Sequence, residues 1–138
     1  MRLFLDTSAF AKRYVAENGS DKVLELCGCA EQLAVSVMCL PEAVSTLSRL
    51  VQERRLSAAA YRALKQSVLE DLTAMDICEM TVAVMSGVIE LLETSAIRAL
   101  DAIHVACAVA YRADIFVSAD VRQLAAARKA GLLVQDVS

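Results

Sequence analysis

Five short apolar runs, at residues 2–5, 33–37, 75–78, 115–118 and 132–135, are separated by stretches long enough and suitably periodic to be helices. Short runs with no internal polar alternation read as strands covered on both faces. Strands that alternate with helices imply a mostly parallel sheet with helices packed on both sides. The expected architecture is therefore α/β: a three-layer sandwich around a central sheet of about five strands.

Local signals place the helices. Helical spacing covers residues 9–16 and 20–30, with Ser20 as an N-cap. Pro41 suits the first turn of a helix that runs to about residue 54. Ser57 and Thr81 are placed to cap the next two, and a helix over about 98–112 follows. The last, over 120–130, ends at Gly131 in a C′ position. One Pro and four Gly leave no linker, so residues 1–138 are expected to form a single domain.

Composition removes several classes. The longest stretches free of charge are ten residues, at 32–41, 80–89 and 102–111, against the roughly 20 that a spanning helix needs. No basic start leads into an apolar segment with a cleavage site, so a cytoplasmic protein is expected. Five scattered cysteines, with Cys27 and Cys29 separated by one residue and a single His in the chain, suit neither a disulfide framework nor a structural zinc site. The net charge of −3 decides little: with four of 17 acids neutralised by a cation, 13 remain against 14 basic residues.

In a parallel α/β sheet, ligands bind outside the carboxyl ends of the strands. Asp6 ends the first apolar run, Glu42 follows the second, Asp101 opens a helix, and Asp120 lies just past the fourth run. Taken singly, an acid in a helix's first turn is accounted for by the helix dipole. Taken jointly, four acids from distant segments converge on one edge, where their repulsion calls for a hard divalent cation, Mg²⁺ or Mn²⁺. Thr7, Ser8 and Ser118 stand beside these acids and are candidates to orient them. Lys12 and Arg13, just after Asp6, are candidate phosphate contacts, with a solvated helix face as the plain alternative. His104, one turn after Asp101, reads as a packing or hydrogen-bonding group, with a catalytic base as the alternative that the carboxylate set makes unnecessary.

The four acids in this order and context resemble a PIN domain of the VapC toxin subgroup. "FLDTSAF" resembles the strand leading into Asp-Thr-Ser, and "PEAVSTLSRL" the helix that carries the family's Glu. "RALDAIHVACAV" and "VSADVRQLAAARKAGL" resemble the third and fourth motifs. The one departure is Met38-Cys39-Leu40 where relatives carry a capping hydroxyl before the Glu helix.

The resemblance implies a Mg²⁺-dependent endoribonuclease acting on tRNA, rRNA or mRNA, with Mn²⁺ as substitute. It also implies a homodimer and an inhibitory VapB-like antitoxin. Asp6, Asp101 and Asp120 are then metal ligands, and Glu42 binds metal or positions the attacking water. A non-toxin PIN nuclease of RNA processing, or a silent PIN domain that binds RNA or protein, remains the alternative. A haloacid-dehalogenase-like phosphatase wants an Asp two positions after Asp6, where Ser8 stands; a receiver domain wants an Asp at the end of the middle strand, near Ile77-Cys78.

Overall fold

A computed structural model describes residues 1–138. The chain runs β1 (Arg2–Leu5), α1 (Thr7–Ala11), α2 (Ser20–Cys29), β2 (Gln32–Ser36), α3 (Cys39–Gln52) and α4 (Ala58–Leu72). It continues through β3 (Asp76–Cys78), α5 (Val82–Thr94), α6 (Ala99–Tyr111), β4 (Ile115–Ser118), α7 (Val121–Lys129) and β5 (Val134–Asp136). The five strands form one sheet in the order β3-β2-β1-β4-β5, and every neighbouring pair is parallel. No helix is long and apolar enough to cross a membrane.

The period-2 alternation of each strand splits the core in two. Phe4, Ala34 and Phe116 face one layer, buried with Val84, Val88 and Leu91 of α5, Val105 of α6 and Leu124 of α7. The rings of Phe4 and Phe116 stack with centroids 6.0 Å apart. Leu3, Leu5, Val35 and Val117 face the other layer, with Phe10, Val23, Ala43 and Val68 from α1 to α4. Truncating any of these large side chains to Ala leaves a cavity costing about 2–5 kcal/mol.

The strand order reverses at β1: the chain moves outward through β2 and β3, then returns to lay β4 and β5 on the other side. Side by side at this switch point, β1 and β4 deliver their C-terminal ends together, and the Asp6 amide donates to Val117 O at 3.1 Å. That is where a crevice opens in such a sheet.

Some local expectations shift. The first helix covers only Thr7–Ala11, because Asp6 caps it directly at the strand end. Ser20 does not cap α2. Its hydroxyl instead closes the preceding turn, accepting from Glu17 N at 3.0 Å and donating to Val15 O at 3.3 Å. Gly19 takes the cap position at φ +88°, and a Cβ there would lie 1.8 Å from Val137 O, so only glycine fits. The helix carrying Glu42 begins at Cys39, ahead of Pro41, with no side-chain cap. Ser57 and Thr81 do cap α4 and α5, accepting from Ala60 N and Val84 N.

Candidate active site

The ends of β1 and β4 and the starts of α3 and α6 enclose a cleft of about 490 Å³. Asp6, Glu42, Asp101 and Asp120 all line it, as do Thr7, Ser8, His104 and Gln123. Asp101 and Asp120 also line an adjoining cleft of about 460 Å³.

Asp6 is fully buried at the end of β1. Its Oδ1 accepts from Ala9 N at 2.9 Å, and its Oδ2 from the Ser118 hydroxyl at 2.7 Å. The Ser8 hydroxyl lies 2.8 Å from both carboxylate oxygens. Burial pushes the Asp6 carboxyl above its ordinary pKa, against the pull of the Ala9, Ser118 and Ser8 hydrogen bonds. Ser8 and Ser118 also hold the loop after β4, accepting from Ala119 N and Asp120 N.

The other three carboxylates share a pattern. Glu42 Oε1 accepts from the Thr7 hydroxyl at 2.8 Å and faces His104 Nε2 at 2.5 Å. Asp101 Oδ1 accepts from Gln123 Nε2 at 3.0 Å. Asp120 caps α7, its Oδ1 taking the Arg122 and Gln123 amides at 2.8 and 3.2 Å. In each, one oxygen is anchored and the other takes no hydrogen bond from the protein.

The electrostatics differ among them. Burial raises Asp101, and the neighbouring Asp120 carboxylate raises it further. Burial also pushes Glu42 upward, but the His104 hydrogen bond and charge, with Thr7, outweigh it and leave Glu42 below its ordinary value.

The donor set fits a divalent cation that keeps its own water. No three Asp, Glu, His or Cys side chains stand close enough to cage an ion by themselves. Mg²⁺ ordinarily takes only one or two carboxylates, completing its octahedron with water and substrate phosphate. Three free carboxylate oxygens on one cleft, two of them on acids that repel each other, are donors of the right type. Gln123, 4% exposed, also carries a buried Oε1 with no partner beside Asp101.

The expected basic contacts fall differently. Lys12 lines the cleft but is 7% exposed, its ammonium held by Asn18 O at 2.5 Å and Glu17 at 3.3 Å. Arg13 is not at the cleft: its guanidinium reaches Asp71 on α4 at 3.5 Å and lies over the Phe10 ring. Two aromatic faces and an acid on α4 outcompete the open side of so short a helix.

Gln123 was not evident from the sequence. "DVRQ" has the spacing of a capping box, in which Gln would return to the N-cap amide. Here the Ser118 hydroxyl takes the Asp120 amide, which frees Gln123 to reach Asp101. Ser45, Thr46 and Arg49 also line the cleft. They stand at i+3, i+4 and i+7 from Glu42, a helical face that could have been read from its spacing.

The comparisons bear on the fold. No curated protein matches the chain in sequence. Among solved structures, VapBC2 from Rickettsia felis, bound to a promoter DNA fragment, superposes with a TM-score of 0.70 at 15% identity, covering 100% of both chains. Mycobacterium tuberculosis VapC20, a Sarcin-Ricin loop cleaving toxin, gives 0.68 at 19% identity over 90% of this chain and 94% of its own. VapBC-1 from nontypeable Haemophilus influenzae gives 0.71 at 14% identity over 99% and 98%. The family model for the PIN domain matches residues 3–129, nearly the whole fold, and the chain belongs to the PIN domain family.

Proposed function

We propose that this protein is a Mg²⁺-dependent endoribonuclease of the VapC kind, held inactive by a VapB-like antitoxin and assembled as a homodimer. The observation that carries the reading is the set of three carboxylates, Glu42, Asp101 and Asp120, each with one oxygen anchored and one left free on the same cleft. The toxin and antitoxin roles draw on the VapBC neighbours. With tRNA, rRNA or mRNA as the proposed substrate, the proposed place of action is the cytoplasm.

Asp101 and Asp120 would hold the cation through their free oxygens, with Asp6 behind them. A Mg²⁺ or Mn²⁺ ion held by these residues would supply a positive charge that lowers the pKa of a nearby water and offsets negative charge developing on the phosphate and the leaving oxygen. Glu42 has a distinct task. Thr7 and His104 fix its Oε1 and favour its charged form, so its Oε2 is available to orient an attacking water or accept its proton. Gln123 sets the rotamer of Asp101, and the α7 amides set that of Asp120. In-line attack by water with cleavage of the P–O3′ bond, the outcome the PIN resemblance implies, would leave a 5′-phosphate on one product and a 3′-hydroxyl on the other.

One observation favours a second reading, a PIN domain that binds RNA or protein without cleaving it. Asp6, the most buried acid, already has both oxygens occupied by Ser8, Ala9 and Ser118. A metal that reaches it would compete with these donors for the lone pairs of the carboxylate.

Cleavage of total tRNA and rRNA in Mg²⁺ or Mn²⁺, beside Asp6→Asn and Asp101→Asn, separates the two. The nuclease reading expects cleavage that EDTA and both substitutions abolish while the fold persists. Cleavage that survives them overturns it. Absence of cleavage together with absence of Mn²⁺ binding overturns the metal-nuclease reading, and RNA binding without cleavage would establish the second.

A further inference from the structure

We infer that a single RNA strand crosses the carboxylates between two arginine sites, its phosphates held by Arg49 on one side and by Arg98 and Arg122 on the other. This rests on the ribonuclease reading above and deepens it.

Asp101 and Asp120 form the boundary between two clefts. Arg49 lines the first and Arg98 and Arg122 line the second, so exposed arginines flank the acids on both sides. None of the three makes an ion pair. Arg49 has an acid one helical turn on, Glu53, but Glu53 pairs with Arg55 at 3.6 Å instead. At 1.5 Å per residue, Arg49 stands about 10 Å along α3 from Glu42. That is the scale of a neighbouring phosphate, outside the reach of the reacting one.

Arg98 and Arg122 are placed against local stability. Arg98 is the N-cap residue of α6 and makes no side-chain cap bond; Arg122 is in the first turn of α7. A cation at the positive end of a helix is unfavourable, and an acid or hydroxyl there would stabilise both helices. Two guanidiniums beside two helix N-termini make a site for an anion. The anion that must pass there in an RNA-cleaving protein is the phosphodiester backbone, and arginine holds phosphate by paired N–H donors. Attraction to Asp101 and Asp120 is the competing account, since the Arg98 charge lowers Asp101. It does not account for Arg49, which lines the other cleft.

Fluorescence anisotropy of a 5′-fluorescein 12-nucleotide mixed-sequence RNA in EDTA tests this over a salt series. The proteins are wild type, Arg49→Ala, Arg98→Ala, Arg122→Ala and the Arg98→Ala/Arg122→Ala pair, each with a thermal melt. Each single change is expected to weaken binding about three- to tenfold and to flatten the log–log salt slope by about 0.7, one single-strand phosphate contact. Melting points should hold or rise. In tRNA cleavage with Mn²⁺, the same variants should raise KM more than they lower kcat.

Unchanged RNA affinity and salt slope in all variants overturn the inference while leaving the nuclease reading intact. A shift confined to Mn²⁺ affinity or melting point also overturns it, showing that the arginines only balance the acids. A wild type that neither binds nor cleaves RNA overturns the ribonuclease reading and the strand path with it.

Discussion

His104 Nε2 lies 2.5 Å from Glu42 Oε1, while its Nδ1 lies 3.0 Å from the Ser36 hydroxyl. Ser36 Oγ already accepts from Met38 N at 3.2 Å, so its proton is free for Nδ1. In the neutral imidazole this puts the N–H on Nε2, facing a carboxylate that can only accept. His104 is thus a brace between β2 and α3, and it fixes Glu42 at the cleft. It is 1% exposed, so His104→Ala leaves a cavity and an unsatisfied Ser36 and should cost about 2–4 kcal/mol in urea unfolding. His104→Gln, whose amide can still donate to Glu42, should recover part of both stability and kcat. Equal losses in the two variants would show that the brace does not act through that hydrogen bond.

Asp6→Asn should raise the melting point of the protein in EDTA by a few degrees at pH 7. The sign follows from burial. Asp6 has a folded pKa above its unfolded value, so the fold is favoured below the unfolded value and loses that contribution as pH rises through the folded one. Asn keeps an acceptor oxygen for the Ala9 amide and the Ser8 hydroxyl without the buried charge, and its Nδ2 would donate to the Ser118 hydroxyl in place of accepting from it. The gap between the two proteins should therefore be widest at neutral pH and close as pH falls through the ordinary carboxylate range. Differential scanning calorimetry across pH checks it. A less stable Asp6→Asn protein at neutral pH would show that the hydrogen bonds to the anion outweigh its desolvation.

The thiols should separate cleanly by position. Cys29 is exposed at the end of α2, whereas Cys39 and Cys107 are buried and burial pushes both up to about 12. Only the thiolate reacts, so iodoacetamide at pH 8 should alkylate Cys29 first and leave Cys39 and Cys107 unmodified in the folded protein. Peptide mass spectrometry over a time course reads this. Early modification of Cys39 would mean that the N-terminus of α3, three residues from Glu42, opens readily.

Much of this arrangement was legible in the residues. Leu3, Leu5 and Phe4 could be divided between two core faces from alternation alone, and the parallel sheet follows from helices between apolar strands. Asp6 and Asp120 are helix caps, the plain account of an acid at such a position, and they stand at the switch point as well. Capping is how the fold fixes them there. What the sequence left open depends on choices between partners. Arg13 could face solvent, RNA or α4, and Phe10, Tyr14 and Asp71 decide it. Lys12 is drawn inward by Asn18 O and Glu17 in a turn whose path Gly19 sets. Gln123 abandons a capping box because Ser118, on another strand, takes the amide first. Such competitions lie between segments far apart in the chain, and local pattern carries no trace of them.

Metal binding should be visible as stability before any RNA is added. Asp120 raises the pKa of Asp101, so at neutral pH in EDTA the two carboxylates repel across the cleft boundary. Asp101→Asn removes that repulsion and should melt above the wild type in EDTA. A cation that binds only the folded wild type then reverses the order: at a hundred times its Kd it adds about 2.7 kcal/mol, several degrees in Tm. The Asn variant, with one ligand lost, should gain far less. Thermal melts of both proteins across Mg²⁺ and Mn²⁺ titrations give the crossing directly, and Ca²⁺ reports whether the site discriminates by size. If Mg²⁺ and Mn²⁺ leave the wild type unmoved, or stabilise both proteins equally, Asp101 is not a ligand. The free oxygens of Glu42, Asp101 and Asp120 would then have to be explained by a cationic partner group rather than by a metal ion.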